Sequence, residues 1–305
     1  MDRITAVVQK KEKRAVFPIV VADHCARLFN TTLAAVVRDG EKLAEVISYG
    51  YHFYRYDMVL LFSDPYLEAE ALGCPVCLEP IPQLLGPRRK KRGRDRRGVI
   101  LKAARLLKKM VDVPVFVSIK GPFSLAAFLI GMEEFLKMLM EKEEKVRETL
   151  EETLQFQIDY LRQLLSLEVN IFIGDPCASA SLISPNFFAQ FAQEPLTTLV
   201  KKVKEAGLLV GLHICGETKP IISLLDKIGC DILSIEDISP ETETVKMGGV
   251  STKTIFFGDW EKMKKEIENA QQLNPSLILA TSCDVPAETE PENIKMMIKI
   301  AQALS

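Results

Sequence analysis

The 305-residue chain is 48% hydrophobic and 26% charged, with a formal net charge of −2, a balance ordinary for a globular protein. That charge excludes a global attraction to nucleic acid or an anionic membrane, and no apolar stretch reaches the roughly 18–20 residues of a spanning helix. With no signal-peptide core near its start, the chain is expected to be cytoplasmic, its seven cysteines serving as metal ligands or packing residues rather than disulfides.

Short apolar runs rich in β-branched residues alternate with helical patterns. Strands are predicted at 17–22, 57–62, 114–119, 169–173, 208–212, 231–235, 254–257 and 277–281. Most lack polar alternation, as parallel strands covered on both faces do. Helical patterns over 132–165 and 185–206 lie between them, the second opened by Ser184 as N-cap and Pro185 in the first turn. Eight strand-then-helix units predict an α/β fold, a (β/α)8 TIM barrel spanning residues 1–305 as one domain. A doubly wound sheet is the alternative. After the second strand, residues 88–97 read RRKKRGRDRR, eight cations and one acid in ten positions. Like charges at this density repel, so an exposed, mobile basic loop is expected. Its functional alternative is docking of an acidic protein or a phosphate-bearing ligand.

In a parallel barrel, chemistry gathers at the C-terminal ends of the strands. Polar residues stand just past most predicted strands: His24, Asp64, Asp175, the pair His213-x-Cys215, Glu236, Asp259 and Cys283. One residue apart in extended chain, His213 and Cys215 leave the same face. Alone, such a pair reads as buried packing. With Cys283 from the last strand and Glu236 from the sixth, it becomes one nitrogen, two sulfurs and one exchangeable oxygen, a set that suits tetrahedral Zn2+. Asp175 and Ser179 are expected to orient a substrate from the loop after the fourth strand, or else to brace an Asp-Pro turn. His24 is expected to line the pocket, and His52 to lie on the surface. Cys74-x-x-Cys77 has metal or redox spacing but no second pair, so packing is the expectation.

At the metal ligands the chain resembles the zinc-dependent methylcobamide:coenzyme M methyltransferases, which share a barrel superfamily with uroporphyrinogen decarboxylase. The resemblance rests on 210–216 (VGLHICG) with 281–286 (TSCDVP), and further on 70–74 (EALGC), 121–127 (GPFSLAA), 174–185 (GDPCASASLISP) and 291–295 (PENIK). It implies zinc held by His213, Cys215 and Cys283. The metal site is also similar to that of cobalamin-independent methionine synthase, which supports Glu236 as a displaceable fourth ligand. The implied reaction moves a methyl group between a methylcobamide, carried on a separate corrinoid protein, and a small thiol such as coenzyme M. Coordination by zinc removes the thiol proton.

Two features widen the reading. Residues 60–64 (LLFSD) are close to the decarboxylase branch, where Asp64 would meet pyrrole nitrogens. Yet 16–27 (VFPIVVADHCAR) lacks that branch's paired arginines, and that branch has no metal, so porphyrinogen decarboxylation is disfavoured. In the predicted seventh strand, 255–260 (IFFGDW) lacks the glycine-asparagine pair expected of the methyltransferases. A corrinoid-dependent demethylase acting on methoxylated aromatics or methylamines therefore remains open, as does a non-catalytic zinc-stabilised partner of a corrinoid protein. The sequence leaves the oligomeric state open.

Overall fold

The computed structural model describes residues 1–304. Eight parallel strands form the barrel: β1 (Arg14–Phe17), β2 (Val59–Leu61), β3 (Val115–Lys120), β4 (Asn170–Gly174), β5 (Val210–Ile214), β6 (Ile232–Ile235), β7 (Val245–Val250) and β8 (Leu277–Thr281). They are ordered β1-β8-β7-β6-β5-β4-β3-β2. Every neighbouring pair shares a parallel ladder. The remaining seam, between β1 and β2, is bridged at Asp57. Its backbone N–H donates to the Val16 carbonyl at 2.9 Å, and its carboxylate accepts from the Val16 N–H at 2.7 Å. A side chain here replaces a ladder bond that the backbones do not make.

Strand burial matches the unbroken apolar runs: β2, β6 and β8 are buried at every residue. Inside the barrel the rings of Phe116 and Phe172 meet edge-on at 6.3 Å. Phe172 lies directly over Gly211, where a Cβ would sit 2.4 Å from the ring. Only glycine fits there, so the glycine of VGLHICG makes room for the layer beneath His213.

The sequence expectation of an α/β barrel is met, with several shifts. The first strand lies earlier than predicted, at Arg14–Phe17; residues 18–21 are irregular and Ala22 opens a helix that runs to Leu28. The predicted strand 254–257 is the helix Thr252–Phe257, and the true β7 lies at Val245–Val250. The caps explain this. The Ser251 side chain accepts from the Lys253 N–H at the helix start, and Gly258 closes it in the left-handed region at φ 69°. The real strand was masked by Gly248 and Gly249, both at positive φ, which a strand pattern reads as a break. The connection from β6 to β7 carries no helix, so the ring has one fewer β-then-α unit than the sequence predicts.

The pattern over 132–165 splits at Lys142 into Met132–Glu141 and Glu143–Leu165. The pattern over 185–206 begins as predicted, Ser184 accepting from the Phe187 N–H. It then widens to a π turn at Phe188–Ala192. Pro195, which has no N–H to give the carbonyl four residues back, follows at once.

The basic segment is more firmly held than expected. Arg89, Lys90, Lys91, Arg92 and Arg94 are exposed, but the backbone is fixed by bonds from Arg88 to Leu129, Arg89 to Gly73 and Gly93 to Ala71. Arg96 is buried, at 4% exposure. Its Nε donates to Glu70 at 2.6 Å and its Nη1 to Asp64 at 2.8 Å. The expectation of a solvated loop fails at this residue, because two buried carboxylates call for one buried cation. No helix of the described residues is long and apolar enough to cross a membrane.

Candidate metal centre

Two strand ends, those of β5 and β8, bring His213, Cys215 and Cys283 together at the mouth. Their ligating atoms all lie within 4.8 Å of one another. His213 Nε2 lies 2.9 Å from Cys215 Sγ and 3.9 Å from Cys283 Sγ. The other ring nitrogen, Nδ1, is hydrogen-bonded to Ser234 Oγ at 3.0 Å. Ser234 sits opposite His213 in the β5–β6 register and is fully buried. This bond turns Nε2 toward the two thiols, the arrangement by which an outer hydroxyl fixes a ligand imidazole. Sequence reasoning missed Ser234. Its signal was a lone hydroxyl in the apolar β6.

The two thiols titrate as a coupled pair. A hydrogen bond from Cys283 holds the Cys215 thiol below its ordinary range, against the opposing effect of burial. The same bond, together with burial, pushes Cys283 up.

Glu236 is not part of this cluster. It is exposed, and its Oε1 accepts from the Gly216 N–H at 2.6 Å. It acts on Cys215 through space, raising the thiol's pKa. The donors gathered here are three, and Glu236, expected as a fourth, stands outside them.

The cluster opens into a cavity of about 640 Å3. Ile19, Val21, Leu60, Phe62 and Phe172 give it apolar walls, and Asp23, Asp284, Glu288 and Lys120 add charge. Asp23 is pushed up to about 6, chiefly by burial. Among the residues expected to bind substrate, Asp64 reaches the cavity lining, but its carboxylate is held by Arg96, the Ser63 hydroxyl and the Tyr66 N–H. It is spent on the ion pair, and the pyrrole-binding role inferred from LLFSD finds no free carboxylate.

His24 is likewise turned away. Its Nε2 is hydrogen-bonded to the Tyr54 hydroxyl at 2.8 Å and its Nδ1 lies 3.2 Å from the Ala287 carbonyl. Ser179 is buried, its hydroxyl donating to the Glu217 carbonyl and accepting from the Ser181 N–H. These contacts brace a turn, the bland alternative for that loop. Asp175 is fully buried beneath the mouth. One oxygen accepts from the Ser124 N–H at 2.6 Å, the other has no partner, and burial pushes the carboxyl up to about 6. Cys74 is packed with its thiol donating to the Phe128 carbonyl, Cys77 donates to the Glu79 carbonyl, and His52 lies at the surface.

The uroporphyrinogen decarboxylase (URO-D) family model matches residues 1–304. The chain belongs to the URO-D family. Curated relatives include "Methylcobamide:CoM methyltransferase MtaA" of Methanosarcina barkeri, 29% identical over 218 residues. That match covers 67% of this chain and 63% of the relative, so it spans under two thirds of that protein's length. Another is "Methylcobamide:CoM methyltransferase MtbA" of Methanosarcina acetivorans, 26% identical over 291 residues, covering 87% of this chain and 85% of the relative. A solved "methyltransferase from Methanosarcina mazei" superposes with a TM-score of 0.88 at 23% identity, covering 99% of this chain and 98% of that one. This likeness establishes that the URO-D chain described here shares the barrel fold.

Proposed function

We propose that the protein is a zinc-dependent methyltransferase that moves a methyl group between a methylcobamide, carried on a separate corrinoid protein, and a small thiol. The observation that carries this reading is the convergence of His213, Cys215 and Cys283 at the end of a cavity large enough for a small substrate. Two relatives named as methylcobamide:CoM methyltransferases support it.

The donors suit zinc in kind and spacing. One imidazole and two thiols are its usual ligands, and donors bound tetrahedrally at about 2.0–2.3 Å lie roughly 3.5 Å apart. A bound zinc ion would lower the pKa of a coordinating substrate thiol, supplying a thiolate at neutral pH. Among the described residues no fourth protein donor joins the cluster, which favours an open site over a closed structural one. The chain's own contribution is positional. Ser234 fixes the imidazole, and the apolar walls of Ile19, Val21, Leu60, Phe62 and Phe172 shape the space in which sulfur and methyl group meet.

The test is X-ray absorption on zinc-loaded protein before and after adding a thiol. One zinc with one nitrogen and two protein sulfurs, gaining a third sulfur on addition, is expected. Cys283→Ala is expected to lose most of the metal, whereas Glu236→Gln keeps most of it. A zinc sphere unchanged by every thiol tried would remove the thiol from the reaction.

A further inference from the structure

Lys120 is the last residue of β3 and lines the cavity while only 7% exposed. Among the described residues its ammonium makes no ion pair and no hydrogen bond. Its Nζ lies 6.0 Å from the centroid of the Phe62 ring and 5.8 Å from that of Phe128. The buried carboxylates of this region are directed elsewhere. Glu68 accepts from the Lys120 backbone N–H, Asp64 is held by Arg96, and Asp175 accepts from Ser124 with one oxygen while the other makes no hydrogen bond to the ammonium or any other group. Glu68 and Asp175 feel the ammonium only through space. A buried cation without a close counter-ion is unfavourable, unless a ligand brings the missing charge.

The sheet register says where that ligand would lie. Lys120 pairs with Gly174 on β4, and Gly174 pairs with His213 on β5. The three share one row and one face, so Lys120 and His213 are two strand spacings apart, roughly 10 Å between Cα atoms. Between them stands a residue with no side chain. A Cβ added at Gly174 would meet nothing within 4 Å, so the floor between ammonium and metal ligands is open. The cavity's other carboxylates, Asp23, Asp284 and Glu288, come instead from the helix that follows β1 and the loop that follows β8.

We infer that Lys120 seats the anionic group of a short thiol (a carboxylate, sulfonate or phosphate) whose sulfur reaches His213, Cys215 and Cys283 over Gly174. This rests on the proposed thiol reading and names the residue that selects among thiols.

The experiment compares 2-mercaptoethanesulfonate, 3-mercaptopropionate and neutral 2-mercaptoethanol, by KM in methyl transfer from methylcobalamin and by calorimetric Kd on the zinc-loaded protein. Wild type is expected to favour both anionic thiols at least tenfold. Lys120→Met should raise KM and Kd of the anionic thiols at least tenfold more than those of the neutral one, and Lys120→Arg should restore part of the preference. Gly174→Val, which leaves the charge in place, should weaken all three thiols by filling the floor. Circular dichroism of each variant separates these effects from misfolding. Equal shifts for charged and neutral thiols in Lys120→Met, or no preference in wild type, overturn the role of Lys120 and leave the methyl-transfer reading standing. Failure of every thiol to bind or react overturns the thiol reading itself.

Discussion

At the scale of single residues, the proposed metal centre depends on groups beyond the three donors. Ser234 holds the His213 ring through Nδ1, and losing such an outer partner typically weakens metal binding about 10–100-fold. Ser234→Ala should therefore lower zinc affinity by that factor in a chelator competition, with the fold intact. Asp175 sets a pH dependence. Its carboxyl is pushed from 3.8 up to about 6 in the fold, chiefly by burial, so the folded state binds this proton more tightly than the unfolded chain does. The stability it contributes is complete below about pH 4 and is lost as the pH rises through 6. At about 1.4 kcal/mol per pK unit the loss is about 3 kcal/mol. In urea titrations, Asp175→Asn should gain about that much relative to wild type between pH 4 and pH 7. A pH-independent difference would contradict the buried, proton-binding carboxyl. The three clustered side chains were legible in the sequence, because residue type and strand-end position are both written there. That Glu236 lies outside the cluster was not legible, because the Gly216 N–H that bonds it is a backbone group with no mark in the sequence. Lys120 and Ser234 act across strands, and their partners become evident only once the register is known.

At the scale of elements, local caps outweighed composition. Residues 254–257 carry β-branched and aromatic side chains, and propensity alone makes them a strand. Ser251 and Gly258 bracket them as a helix instead. The glycine-asparagine comparison drawn at 255–260 was thus made on a helix and its cap, not on a strand end, and it carries no weight for a donor-demethylating reaction. The basic segment teaches a related lesson. A run of like charge predicts solvation on average, yet Arg96 is buried between Asp64 and Glu70 and ties the segment to the end of β2. Breaking a buried pair from one side typically costs about 3–5 kcal/mol. Arg96→Met should destabilise the protein by that order in chemical denaturation, whereas Lys91→Met, on an exposed residue of the same run, should change stability by under about 0.5 kcal/mol.

For the molecule as a whole, the barrel was legible because parallel strands buried on both faces have no polar alternation to disguise them. The seam at Asp57 and the helix-free passage from β6 to β7 were not, since both are relations between strands rather than properties of one. The barrel's architecture puts the ends of β5 and β8 at one mouth, with the cavity between them and the end of β3. That is how residues 70 positions apart in sequence, His213 and Cys283, come to share a centre. The family and fold leave the reaction to be decided by that centre. The most direct measurement follows methylcobalamin and a thiol with zinc-loaded protein, reading the methylated thiol by mass spectrometry. The account predicts methyl thioether formed in step with demethylation of the corrinoid, lost on chelation of zinc and in Cys283→Ala. Methyl transfer that continues undiminished in the metal-free protein, or no transfer to any thiol by the zinc-loaded one, would contradict it.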